Sequence, residues 1–381
     1  MFPSINHTRL LLIVYLLTTT AICWAIPLSD TATPEPDFSY EHLDIPPESA
    51  PIFQQDIPRL TWTAGQLLKQ GKLAEASFLC ERLLQVQPGN VEARAHLAAT
   101  YMGLGEKQRF NQEREMLTRQ APDSAAIYLS LASTYQALQQ FDQAEAAYKQ
   151  GLEMARDKID LLLGLGALYH QQQDLTQARK QYLTVLEQKG LGDKPYLKAS
   201  SALCRIDLQE KRYPAVIARA REIIERYPPL PQGYLLLGTA YRGEGQPELA
   251  VSTYQGLIDA NPQIPRGYHE LALTHLEDLD RPEAALRFAQ EGVRRFPQDA
   301  RSLDILGWIA YQTGHYPQAV EQLRRASLLS QGDPQILYHL GLALQKSGDH
   351  PQAKEAFQTA LERINPEQKK AFARELQKRL E

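Results

Sequence analysis

Residues able to ligate a metal or attack a carbonyl are few in this chain, and their spacing works against both. His269 and His275 stand six residues apart in "HELALTH". That step does not bring two side chains onto one helical face, as a metal pair on a helix requires. There is no C-x-x-C, no H-E-x-x-H and no phosphate-cradling glycine loop ahead of a helix. The glycines of "LLLGLGALY" (161–169) suit close helix packing, and "GEGQPE" (243–248) is a turn. The expectation is a chain without catalytic residues, metal or cofactor, and so not an enzyme. What remains is the chemistry of recognition. Arg205, Arg242, Arg266 and Arg301 are interspersed in the second half with His269, Trp308, Tyr311 and Tyr338. Arginine with tryptophan and tyrosine is the composition of interface hot spots, and the guanidinium fork favours carboxylates.

The elements that must carry these residues follow from self-similarity. Small or apolar residues recur at Ala64, Ala98, Ala132, Gly166, Cys204, Gly238, Ala272, Gly307 and Gly341. The step is 34 residues, lengthened to 38 before Cys204 and to 35 before Gly307. A second small residue follows at Ala76, Ala144, Ala178, Ala250, Ala285, Ala319 and Ala353. Four positions later comes a larger apolar one, as at Cys80, Tyr148, Tyr182, Tyr254, Leu323 and Phe357. Small residues let two helices approach, and the larger one fills the gap between neighbouring pairs. Phe110 and Val216 replace the second small residue in the second and fifth copies.

Outside the repeats, the chain begins with "MFPSINHTR" and the apolar run Leu10–Ala25, the pattern of a secretory signal ending at Ala25. Left uncleaved, the same run would be a short membrane anchor. Residues 26–56 are rich in Pro and Ser without apolar periodicity, and read as a disordered spacer. Composition is that of a soluble chain, 43% hydrophobic with net charge −4, which gives no general pull toward nucleic acid. Cys80 and Cys204 fall at apolar-periodic positions several copies apart and read as buried thiols rather than a disulfide. From Asn365 the chain reads as a polar capping helix over 368–381, with Phe372, Leu376 and Leu380 on one face.

The repeat over residues 57–367 resembles the tetratricopeptide repeat (TPR) family, in nine copies. The resemblance implies an all-α, right-handed superhelical solenoid of helix–turn–helix units, each stabilised by its neighbours. It also implies that the first helix of each pair lines a concave groove, through residues one, four and five after each marker and three and six before it. Those offsets assign Arg205, Arg242, Arg266, His269, Arg301, Trp308, Tyr311 and Tyr338 to the groove as partner-binding residues. Trp308, one residue after Gly307, is expected to point into it beside Arg301 and Tyr311. Ala99, Met102, Leu129 and Leu163 would form a second, apolar channel. The Lys and Asn pair that grips chaperone C-termini in some TPR domains has Thr61 and Gly65 in its place in the first copy. With the signal, the resemblance implies an exported, periplasmic adaptor of the bacterial envelope that holds a protein or peptide. An inner-membrane-anchored form would follow from an uncleaved signal, and self-association is compatible with either. The alternative is an acidic polysaccharide in the same groove.

Overall fold

The computed structural model describes residues 56–120, 125–137, 139–364 and 377–379. The expected signal and nearly all of the spacer lie outside the described residues. So does the expected capping helix, apart from 377–379, which are helical.

The described residues form helices and no strands, in nine consecutive pairs. These are α1 (Ile57–Lys69) with α2 (Leu73–Val86), α3 (Val91–Gly103) with α4 (Lys107–Gln120), and α5 (Ala125–Ala137) with α6 (Phe141–Met154). Next come α7 (Ile159–Gln171) with α8 (Leu175–Leu186), α9 (Asp193–Gln209) with α10 (Tyr213–Arg226), and α11 (Pro231–Gly243) with α12 (Pro247–Ala260). The last are α13 (Pro265–Glu277) with α14 (Pro282–Arg295), α15 (Ala300–Gln312) with α16 (Tyr316–Leu329), and α17 (Pro334–Lys346) with α18 (His350–Arg363). The chain divides into two compact units within α9: one runs to Ile206 and the other starts at Asp207.

Local sequence sets the helix ends. Proline fills the first turn of many helices, where its missing N–H costs nothing. Asn90, Asp174, Asp299, Asp333 and Asp349 accept hydrogen bonds from backbone N–H groups of the turns they precede. The turn inside each pair is built the same way nine times, with one residue at positive φ. Gly71, Gly105, Gly245, Gly314 and Gly348 hold it in five copies; Gln139, Gln173, Lys211 and Asp280 hold it in the others. Glycine is at ease there, whereas a side chain costs about 1–2 kcal/mol.

Packing follows the marker residues. A Cβ on Gly166 would meet the Tyr182 ring at 2.8 Å, and one on Gly307 would meet Leu323 at 2.5 Å. The larger partner from the second helix therefore lies directly on the glycine of the first. Tyr254 and Phe357 are fully buried in this role, and burying the Phe357 ring contributes roughly 1.5–3 kcal/mol. In the first unit the first helices also touch one another: α1 packs on α3 and reaches α5, and α5 packs on both α3 and α7. In the second unit α13, α15 and α17 adjoin in turn.

Candidate protein-interaction groove

The first-helix wall is where the repeats could hold a partner, and the two units present it differently. In the second unit Trp308 is only 6% exposed. Its indole lies between the ring of His339, with centroids 4.5 Å apart, and that of Tyr311 at 5.3 Å. Tyr338 is equally buried, against the Phe357 ring. The expectation that Trp308 and Tyr338 project into an open groove is therefore corrected: both belong to the core of the last two pairs. The offset from the marker gives the side of the helix, but α15 and α17 adjoin closely enough to shut that side. Tyr311 stays half-exposed; burial raises its phenol pKa, partly offset by the charge of Arg379.

The arginines of this unit are engaged internally. Arg301 Nη1 donates to Asp304 Oδ2 at 2.7 Å, and the other carboxylate oxygen faces His339 Nδ1 at 2.6 Å. Asp304 is buried; that alone would raise its pKa, but His339 and Arg301 hold it below the ordinary value. Arg242 pairs with Glu277 at 2.9 Å, Glu270 at 3.7 Å and Asp278. Burial opposes its charge, yet Asp278 and the two glutamates raise its pKa well above normal. Arg266 lies 3.3 Å from Glu270. Arg242 thus spends its charge on the next copy, and Arg266 and Arg301 spend theirs within their own helices, so the three do not supply the open carboxylate receptors expected of them.

His269 comes closest to a catalytic arrangement. Its Nε2 faces Ser302 Oγ at 2.7 Å and Asp299 Oδ2 at 3.3 Å. A Ser–His–Asp triad needs the carboxylate on the other imidazole nitrogen and an accessible hydroxyl. Here Ser302 is 1% exposed, and its Oγ donates to Asp299 Oδ2 at 2.7 Å. Asp299 also caps α15, accepting from the Ser302 N–H. Burial would raise its carboxyl, but the bonds from His269 and Ser302 bring it down to about 2. This is a helix cap tied to the preceding copy.

In the first unit the expected apolar channel is corrected as well. Ala99 is fully buried and Leu163 nearly so, while Met102 and Leu129 are half-buried against the core. The short side chains that were to leave a channel instead let α1, α3 and α5 come together. Farther along, the residue just after the marker emerges: Ser133 is half-exposed, Ala167 exposed and Arg205 half-exposed. The same position is buried in the first two copies, at Gly65 and Ala99, and in the last three, at Leu273, Trp308 and Leu342. In the sixth copy Thr239 is exposed, at the start of the second unit. Arg205 has no hydrogen-bond or ion-pair partner among the described residues; burial raises the nearby Tyr182 phenol to about 12 and the Arg205 charge opposes this.

Sequence reasoning missed the polar ladder that joins successive first helices. His96 Nδ1 meets Ser130 Oγ at 2.8 Å, Gln136 donates to Gln171 at 2.6 Å, and Arg242, His269 and Asp304 make the equivalent steps. The signal was present as complementary polar residues 33–36 positions apart. It also missed Trp62, 64% exposed on α1 where later copies pack against a preceding helix. Cys80 and Cys204 are buried free thiols, and burial lifts Cys80 to about 12. Among the described residues no His, Cys, Asp and Glu group could hold a metal, and no helix is long and apolar enough to cross a membrane.

Comparison with known proteins adds the family. No curated protein matches the sequence. Similar solved structures include a crystal structure of MamA, 21% identical, covering 44% of this chain and 96% of that one with a TM-score of 0.36. MamA 41-end from Desulfovibrio magneticus RS-1 is 18% identical, covering 45% and 95%, with a TM-score of 0.39. The APC/C hetero-tetramer Cut9–Hcn1 is 16% identical, covering 87% and 86%, with a TM-score of 0.36. Models of the tetratricopeptide repeat match residues 67–133, 129–191 and 235–300, 307–348, and 334–365. With nine helix pairs built on one recurring small-residue contact, the chain belongs to the tetratricopeptide repeat family.

Proposed function

We propose that this protein-interaction scaffold works as an adaptor in the cell envelope, holding a segment of a partner protein along the first helices of its third to fifth copies. The observation that carries the binding reading is the emergence of Ser133, Ala167 and Arg205 on a wall that is closed before them. The small side chains of Ser133 and Ala167 leave backbone-width space beside the helices, and the Gln136–Gln171 bond ties the first helix of the third copy to that of the fourth. Export rests on the sequence alone, on Arg9 followed by the apolar run Leu10–Ala25. A fold made of stacked helix pairs acts by presenting surface, and its family is generally non-catalytic. The polysaccharide reading loses support, because Trp308 and Tyr338, whose flat faces a sugar would stack on, are buried.

The test is site-specific photo-crosslinking in living source cells from positions 167 and 308. The expected result is one dominant partner captured from 167 and only links within the chain from 308. Capture from 308 alone would overturn the location. Recovery of the full-length precursor with residues 1–25 attached, in the cytosolic fraction, would overturn the export.

A further inference from the structure

Within that reading, the chemistry of the partner can be narrowed from α9. Arginines at groove positions elsewhere are consumed: Arg242 by Glu270, Glu277 and Asp278, Arg266 by Glu270, and Arg301 by Asp304. The groove positions of α9 differ. Lys198 and Arg205 are both half-exposed, and neither forms an ion pair or hydrogen bond among the described residues. The acidic residue at a groove position of the preceding first helix, Asp160 on α7, is exposed and pairs with neither. At the place matching Arg205, the two preceding copies carry only the small residues Ser133 and Ala167.

We propose that Lys198 and Arg205 receive the side-chain carboxylates of an acidic, extended segment of the partner protein, and this rests on the groove reading above. Seven residues separate the two cations, which puts them on one face, two turns and about 10.5 Å apart along the helix. A polyproline-II segment repeats its direction every third residue, at about 9.3 Å. Acidic residues spaced i, i+3 on such a segment fall close to that interval, and the long Lys and Arg side chains absorb the difference. Between the cations, on the same stripe, stands Ser201, small and buried, which puts no side chain in the way of a segment spanning them. Charge-assisted bonds from two cations, one of them forked, would supply most of the selectivity. A uronic-acid polymer offers the same charge, but the third to fifth copies carry no Phe, Tyr or Trp at a groove position for a sugar ring to lie on.

The experiment uses the full chain and a dye-labelled peptide of Glu-Pro-Pro triplets, followed by fluorescence anisotropy. Binding is expected at low salt, to weaken steeply as salt rises, and to fall by about tenfold or more in the K198Q/R205Q double variant. R242Q should leave it unchanged. Equal binding of the matched Gln-Pro-Pro peptide to the unaltered protein overturns the proposal without relying on any variant. So does unchanged affinity in K198Q/R205Q, or a uronate oligosaccharide that binds through Lys198 and Arg205 more tightly than the peptide does. The photo-probe at position 167 separates this from the broader reading. Partner capture that survives K198Q/R205Q removes the carboxylate step and leaves the groove; no capture from 167 in the unaltered protein removes both.

Discussion

The wall of the third to fifth copies and that of the seventh to ninth are built on the same helix face, yet one is open and the other is closed upon itself. At the position after the marker the first set has Ser133, Ala167 and Arg205, and the second has Leu273, Trp308 and Leu342. The first set emerges, and the second is at most 6% exposed. Large residues in the second set meet the next helix and become core, and the charges around them pair across copies. The lesson is that residue types suited to recognition are equally suited to joining one repeat to the next. In a solenoid, where every copy faces another copy, the second use competes with the first.

The contrast breaks most visibly at its largest side chain. Trp308→Ala should lower unfolding free energy by about 3–5 kcal/mol, as for an aromatic removed from a core. Ala167→Gln, at the matching place on the open wall, should stay within about 0.5 kcal/mol. Chemical denaturation of both variants measures the pair, and a small effect at Trp308 would make the closed wall a surface after all. Next is the buried carboxylate: Asp304→Ala strands His339 and Arg301, and should cost about 3 kcal/mol by the same assay.

A third prediction concerns acid. The Asp299 carboxyl titrates near 3.8 when unperturbed and at about 2 in the fold. Between those values the unfolded chain binds the proton and the native one does not, so falling pH favours unfolding. The contribution is complete above pH 4 and is lost as pH falls through 2; Asp304, also depressed, adds in the same sense. Asp299→Asn should flatten the fall of the thermal midpoint over that range, and an unchanged slope would remove Asp299 from the account. The smallest effect lies in the turns. Gln173→Gly relieves a positive φ and should stabilise by up to about 1 kcal/mol, whereas Gly314→Ala should cost about as much.

The fold was legible because its requirements are local in spacing. A first helix can meet the second only if Gly166 or Gly307 lies under Tyr182 or Leu323, and that fixes residue size at set intervals. The site was less legible because exposure depends on how closely one pair approaches the next. The offset of Trp308 from Gly307 gives a side of the helix and holds no information on what stands opposite. Arg242 shows the same limit for charge. Its acids, Glu277 and Asp278, lie 35 and 36 residues on, visible to a search for complementary charges one repeat away. Arg205 becomes informative only once those pairings are known. Trp62 gave no periodic signal, because among the described residues no earlier helix pair stands before α1 to pack on it.

The tryptophans also give the protein a built-in optical readout. Beyond Trp24 in the apolar run, the chain holds only Trp62 and Trp308, one in each compact unit and at opposite extremes of exposure. Trp62 should emit at long wavelength and be quenched by iodide, and Trp308 should emit at short wavelength, shielded from iodide and responsive to its stacked imidazole. Without any label, one emission spectrum then reports on both units at once. A denaturant titration followed at the two wavelengths can tell whether they melt as one cooperative block or as two.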